Sequence, residues 1–359
     1  MISKEEKIKN FDPSQPGLAD ASIYGLPFTA EESEIVVILV PREVTVSYGA
    51  GASEGPEAIL DASFQVDLLH QEFPELWKLG IYMDEAPESW KTNSEKYKAL
   101  AQPIIEALEN GENIEDIPTL KADLDKINAA SAQLNAELKA RVLAWTAKGK
   151  KVILLGGDHS TPFGYYQALA SQYDNFGILH FDAHMDLRIA YEGFTYSHAS
   201  IMYNAIQLPQ ITKLVQVGIR DFSEQEVEVI RSTDKVKVYT DADLKKVQFE
   251  GKTWQQQVDE MINQLPEHVA VSFDIDALYQ WYCPNTGTPV PGGLSYEQAV
   301  YALSRLADSG KKIIGMDLVE VAPGEQDEWD GNVGARLLFH MCGVLAKNNG
   351  LYVGEKIQF

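Results

Sequence analysis

The sequence predicts an α/β protein built on a parallel sheet. Three observations support this: continuous apolar runs of strand length, stretches of helical period between them, and polar residues gathered at the carboxyl ends of several runs. Unbroken apolarity, rather than alternation, marks a strand covered on both faces. Strands that alternate with helices imply βαβ units, whose crossovers join parallel neighbours.

Taken in order, residues 1–33 are polar and rich in Pro, Gly and Ser, and read as an N-terminal arm, with the folded unit expected over 34–359. The first strand is expected at Glu34–Val40. Pro56 to His70 reads as a helix, with Pro56 suited to its first turn. From Asp84 to about Leu120 the chain is acidic, carries several prolines and interrupts the alternation. It is expected to be an insertion at about 84–120 with a helix near Glu95–Leu108, not a second domain. Asp123 to Lys148 places Leu124, Ile127, Leu134, Leu138, Val142 and Leu143 near helical spacing. Further strands are expected at Lys151–Leu155, Phe176–Phe181, Lys213–Gly218, Val236–Tyr239, Val269–Ile275 and Lys312–Leu318. No internal repeat or low-complexity tract is visible.

Composition narrows the function. The chain has 359 residues and is 45% hydrophobic, enough for a full core. Its net charge of −23 argues against nucleic acid as a partner and mildly favours a cationic small substrate. Two cysteines, Cys283 and Cys342, exclude a disulfide scaffold. The first residues lack the apolar segment of a secretory signal, and no stretch reaches the roughly 20 apolar residues of a membrane span. A soluble, cytoplasmic protein is expected, with no membrane partner.

Six metal-seeking side chains stand at the ends of three apolar runs. They are His159 in Gly156-Gly-Asp-His-Ser160, then Asp182, His184 and Asp186 in Asp182-Ala-His-Met-Asp186, and Asp274 and Asp276 in Ser272-Phe-Asp-Ile-Asp276. On extended backbone, positions i, i+2 and i+4 project together, which would group Asp182 with His184 and Asp186, and Asp274 with Asp276. Taken alone, an Asp-x-Asp at a strand end is a turn or a cap. Four buried carboxylates at strand ends, however, would cost several kcal/mol each without a countercharge. Carboxylates mixed with imidazole suit manganese and also accept nickel, cobalt or zinc. Six ligands are too many for one zinc and suit two ions with shared carboxylates. Four carboxylates and two divalent ions nearly cancel, so such a site favours a cationic electrophile over a phosphate. A fourth strand end, Gly315-Met-Asp-Leu-Val-Glu320, should open into the same crevice, because ligands bind at the carboxyl ends of parallel strands.

These motifs resemble those of the ureohydrolase family: arginases, agmatinases, guanidinobutyrases and formimidoylglutamases. Thr286-Gly-Thr-Pro-Val-Pro-Gly-Gly-Leu294 is particularly similar to agmatinases. The resemblance implies a three-layer α/β/α sandwich around an eight-stranded, mostly parallel sheet, assembled as a homo-trimer or homo-hexamer. It implies two divalent ions, manganese first and nickel as the alternative. One ion would be held by His159, Asp182, Asp186 and Asp274, and the other by Asp182, His184, Asp274 and Asp276. His198 would shuttle a proton to the leaving amine, a role its ordinary pKa suits. Glu320 would grip the substrate guanidinium through a charge-assisted pair. The activity implied is hydrolysis of a small cationic guanidinium compound to urea and an amine, of agmatinase type.

Two segments depart from the family pattern. After Asp276 comes Leu278-Tyr-Gln-Trp-Tyr-Cys-Pro284, so Tyr279 and Trp281 become candidates to enclose a small cation. Arg188 resembles formimidoylglutamases and would repel a diamine-like tail. It would suit the carboxylate of a guanidino acid, or pair with an acidic neighbour. Hydrolysis of guanidine or of a guanidino acid, formimidoylglutamase activity, a one-zinc deacetylase-type reaction and a catalytically silent binding protein are the alternatives. The six ligands favour a working binuclear hydrolase.

Overall fold

The structure, a computed structural model, describes residues 2–15, 17, 21–325 and 327–359. Eight strands form one sheet: β1 Ile35–Val40, β2 Ile81–Asp84, β3 Lys151–Gly156, β4 Phe176–Phe181, β5 Ile211–Ile219, β6 Val236–Thr240, β7 His268–Asp274 and β8 Lys312–Val319. Their order is β2-β1-β3-β8-β7-β4-β5-β6, and every pairing is parallel. β3 and β4, consecutive in the chain, are separated by β8 and β7, so the carboxyl ends of four neighbouring central strands open on one crevice.

Alternation within the strands explains the three layers. Val37, Leu155, Phe181, Val271 and Leu318 face one apolar cluster, shared with helices Gly55–Ser63, Trp254–Asn263, Tyr296–Ala307 and Trp329–Asn348. Val36, Val152, Leu154, Ile178 and Ala270 face a second, shared with helices Pro118–Ala147, Phe163–Ala170 and Ile201–Gln207. With helices on both faces, no strand needs a polar side, and the continuous apolar runs follow. No helix among the described residues is long and apolar enough to cross a membrane.

Three elements differ from the sequence expectation. β2 is a four-residue edge strand that its short, part-polar sequence hid. The stretch expected as an insertion carries its expected helix, longer than expected at Glu88–Glu109 and with Pro103 inside it, and a turn at Ile114–Asp116. Ala101, Ile104, Ile105 and Ile114 there join Val44, Ile127 and Phe194 in a third apolar cluster, which pins this segment beside the crevice. The expected N-terminal arm carries helix Lys4–Asn10, closed by a Ser3/Glu6 capping box. It also sends Ile23, Tyr24, Leu26 and Phe28 into the first core cluster, and the Tyr24 hydroxyl donates to Ala335 O. Four apolar side chains scattered among Pro and Gly have no periodicity to announce them. Residues 1, 16 and 18–20 of that arm lie outside the described ones.

Candidate metal centre

β3 ends at Gly156, and the next residues turn sharply into the crevice. A Cβ on Gly157 would lie 2.0 Å from Arg42 O, so only glycine lets the loop pass there. The buried Asp158 accepts from Val44 N and Ser160 N, bracing the loop from inside. His159 follows, 1% exposed. Its Nδ1 lies 3.1 Å from Asp182 Oδ2, 3.0 Å from Asp186 Oδ2 and 3.2 Å from Asp274 Oδ2.

A second group lies beside the first. His184 Nδ1 is 3.0 Å from Asp276 Oδ2 and 3.4 Å from Asp182 Oδ1. Donor atoms of Asp182, His184 and Asp276 all lie within 4.8 Å of one another, as do those of His159, His180, Asp182 and Asp186. Asp182 belongs to both groups and turns a different oxygen to each imidazole. The structure thus brings all six sequence-predicted ligands together. It does so by another route than strand alternation, because β4 ends at Phe181. Asp186 has a left-handed backbone, φ 54°, and Asp276 sits in a 3-10 turn capped by the Asp274 carboxylate. Asp186 and Glu320 (φ 63°), with Ala190 and Glu192 nearby, hold positive φ without being glycine, a strain that concentrates at functional sites.

The electrostatics ask for positive charge. Burial, then the charge of Asp182, pushes the Asp186 carboxyl up to about 7. Burial and the charges of Asp276 and Asp182 push Asp274 well up, and burial with Asp274 and Asp158 does the same to Glu320. Burial opposes a charge on His184, yet Asp276 and Asp182 raise it to about 12. His159 likewise rises well above its ordinary value through Asp182, Asp186 and Asp274, against its burial. Its Nδ1 is buried and has no hydrogen-bond partner, although three carboxylate oxygens surround it. Three carboxylate oxygens around one nitrogen repel one another unless a proton or a metal cation lies among them. Oxygen and imidazole donors in this arrangement fit two divalent ions.

A cavity of about 220 Å³ adjoins the cluster, lined by His159, His184, Asp186 and Asp274 and also by His198, Glu320 and Arg188. Glu320 follows β8, and its Oε1 accepts from His159 N at 2.7 Å. His198 is held by Thr45, whose Oγ1 is 3.2 Å from Nδ1 and accepts from His198 N. Burial lowers its pKa. The Arg188 guanidinium lies over the Tyr191 ring and 3.9 Å from Glu226 Oε2.

Tyr279 and Trp281 do not reach this cavity. Past Asp276 the chain doubles back, with Leu278 bridging Leu294, and carries both rings outward. They stack on each other at 4.3 Å, Lys245 lies over Tyr279, and Trp281 is 64% exposed. Sequence reasoning missed Ser47, Tyr191, Asp221, Phe222 and Thr288 of the cavity wall, and His180 behind it. His180 Nδ1 accepts from the Gln216 amide, which leaves Nε2–H to donate to Asp182 Oδ2 at 2.8 Å. His180 therefore orients the Asp182 carboxylate. Its placement two residues before Asp182 in an apolar strand was the available signal.

The sequence model of the arginase family matches residues 33–343. The chain belongs to the arginase family. It is 32% identical over 314 residues to N(1)-aminopropylagmatine ureohydrolase of Thermus thermophilus, covering 88% of this chain and 91% of that one. Agmatinase of Neisseria meningitidis is 29% identical over 316 residues, covering 85% of each. The crystal structure of agmatine ureohydrolase of Thermoplasma volcanium superposes with a TM-score of 0.67 at 23% identity, covering 96% of this chain and 98% of that one, and shows the same fold. This arginase-family chain is a hydrolase acting on C–N bonds of linear amidines, a ureohydrolase of the binuclear-metal type.

Proposed function

We propose that the protein hydrolyses a small guanidinium compound of agmatine type to urea and an amine, with two Mn²⁺ ions as its cofactor. The observation that supports this most is Asp182, whose two oxygens serve two adjacent donor groups at the wall of a cavity that also holds Glu320. His159, Asp186 and Asp274 complete one site, and His184 and Asp276 the other, with Asp274 as the second shared ligand. When bound, such an ion pair supplies Lewis acidity and a water activated near neutral pH.

The remaining steps belong to this chain's own side chains. Glu320 pairs with the guanidinium and turns its carbon toward the cluster. The Thr45 hydroxyl lies 3.2 Å from His198 Nδ1, which leaves Nε2 to take up a proton from solvent and pass it to the departing amine. Asp221 lines the cavity and would receive a distal amine, in keeping with the names of the relatives.

Arg188 favours a second reading. It lines the same cavity, and its guanidinium makes no hydrogen bond among the described residues. The oxygens of its nearest carboxylate, Glu226, are already taken by Leu187 N, Ser223 N and Ser223 Oγ. Those free donors would suit a substrate carboxylate. Urea release by Mn²⁺-loaded protein from agmatine, 4-guanidinobutyrate and guanidine separates the two. The agmatine reading expects Asp221→Asn to raise KM for agmatine about tenfold and Arg188→Ala to leave it unchanged or lower. A preference for 4-guanidinobutyrate that Arg188→Ala abolishes would reverse the choice, and no urea from any of the three would refute both.

A further inference from the structure

We propose that Asp317 is a positioning residue for the metal centre, acting through Ser272 to lock the His159 imidazole in the tautomer that leaves Nδ1 free for a cation. The inference rests on the reading of the six-ligand cluster as a cation site.

Three neighbouring strands build the wire. Ser272 on β7 and Asp317 on β8 are register partners, and His159 follows β3 on the other side of β8. Ser272, Asp317 and Tyr166 are fully buried and His159 nearly so. The Ser272 hydroxyl lies 2.7 Å from Asp317 Oδ1, and the Tyr166 hydroxyl 2.9 Å from Oδ2. His159 Nε2 lies 3.0 Å from Ser272 Oγ.

The inventory of protons fixes every direction. A carboxylate only accepts, so the single Ser272 hydroxyl proton goes to Asp317. Toward His159, Ser272 Oγ can therefore only accept, and Nε2 must carry the ring proton. The lone pair is then on Nδ1, 3.0–3.2 Å from three carboxylate oxygens. Tyr166 holds the plane of the Asp317 carboxylate and makes it the terminal acceptor. A fully buried carboxylate whose side-chain donors are two hydroxyl groups is a costly structural element, one that Asn or Thr would fill more cheaply. Backing a metal-ligating imidazole gives it a reason to be there, because such partners set tautomer and ligand basicity.

The test uses the full chain, stripped of metal and titrated with Mn²⁺ alone by calorimetry. Variants are Asp317→Asn, Ser272→Ala and the double variant. Each single change should weaken the binding of one Mn²⁺ per chain by about 10- to 100-fold. The double variant should be no weaker than the worse single one, since both interrupt one wire. Nitrogen-15 spectra of the metal-free wild type, recorded at a pH high enough to leave the ring neutral, should show His159 protonated at Nε2, and Ser272→Ala should lose that preference. Should Asp317→Asn fail to fold, Ser272→Ala decides alone, with its metal-free melting temperature as the control. Wild-type affinity for both ions in a folded Ser272→Ala, or losses that multiply in the double variant, would overturn the proposal. A wild-type chain that takes up fewer than two Mn²⁺ would instead refute the reading of the centre itself.

Discussion

Asp186→Asn should make the metal-free protein more stable and the metal-loaded protein less so. Asp186 is buried, and burial together with Asp182 moves its carboxyl from 3.8 up to about 7. A carboxyl raised in this way costs nothing below pH 3.8, costs progressively more as pH climbs toward 7, and costs its full amount above that. The difference of about 3 units, at about 1.36 kcal/mol each, is a penalty of about 4 kcal/mol at pH 8. Asparagine keeps the shape and drops the charge. With an unfolding entropy near 2.1 cal/mol/K per residue over 359 residues, removing about 4 kcal/mol raises Tm by about 5 °C. At pH 5 the removed penalty shrinks to about 2 kcal/mol, or about 2 °C. Saturating Mn²⁺ should reverse the order, because the variant lacks one ligand and gains less from the ions. Scanning calorimetry at pH 5 and 8, with EDTA and with Mn²⁺, measures all four differences. A metal-free variant that melts below the wild type at pH 8, or a gap that does not widen with pH, would refute the argument that this carboxylate is held against its own repulsion.

Mn²⁺ affinity should rise with pH. Asp186 at about 7, in one site, and His184 at about 12, in the other, hold protons that the ions must displace, so affinity should climb at least tenfold per pH unit below 7 at the first site and about tenfold per unit throughout pH 6–9 at the second. A flat titration series between pH 6 and 9 would contradict this. Tyr279→Ala and Trp281→Ala should leave kcat/KM within about twofold of wild type, since both rings stack outside the cavity. A tenfold loss in either would place them at the substrate. Gly157→Ala should lower stability by about 2–3 kcal/mol, because its methyl group meets Arg42 O at 2.0 Å. Urea denaturation checks the value, and an unchanged midpoint would show that the loop can move aside.

The central strands were readable in the sequence because burial on both faces leaves one kind of residue along them. Expected and observed boundaries differ by no more than two residues from β3 to β8. Helix limits were less legible. The helix that begins at Gly55 ends at Ser63, well short of His70, because Phe64 to Leu68 continue the apolar spacing while the backbone turns into loops. Edge strand β2 escaped because four residues with one buried partner strand carry too little pattern. All six candidate ligands were legible as residue types, since charge at the end of an apolar strand has few cheap explanations. How they meet was not legible, because it depends on a left-handed Asp186 and a 3-10 turn at Asp276 rather than on strand alternation. Arg188 could be named but not placed. Only the fold puts it over Tyr191, beside a Glu226 whose oxygens are engaged elsewhere. The aromatic loop misled because its direction is set by the Leu278–Leu294 bridge, a contact invisible in local sequence.

Metal stoichiometry tests the central claim most directly. Elemental analysis of active, Mn²⁺-loaded protein and of Asp182→Asn should give two ions per chain in the first. The variant should bind both ions far more weakly and release no urea, because one side chain serves both sites. One ion per chain in fully active protein, or an Asp182→Asn variant that keeps both, would contradict it.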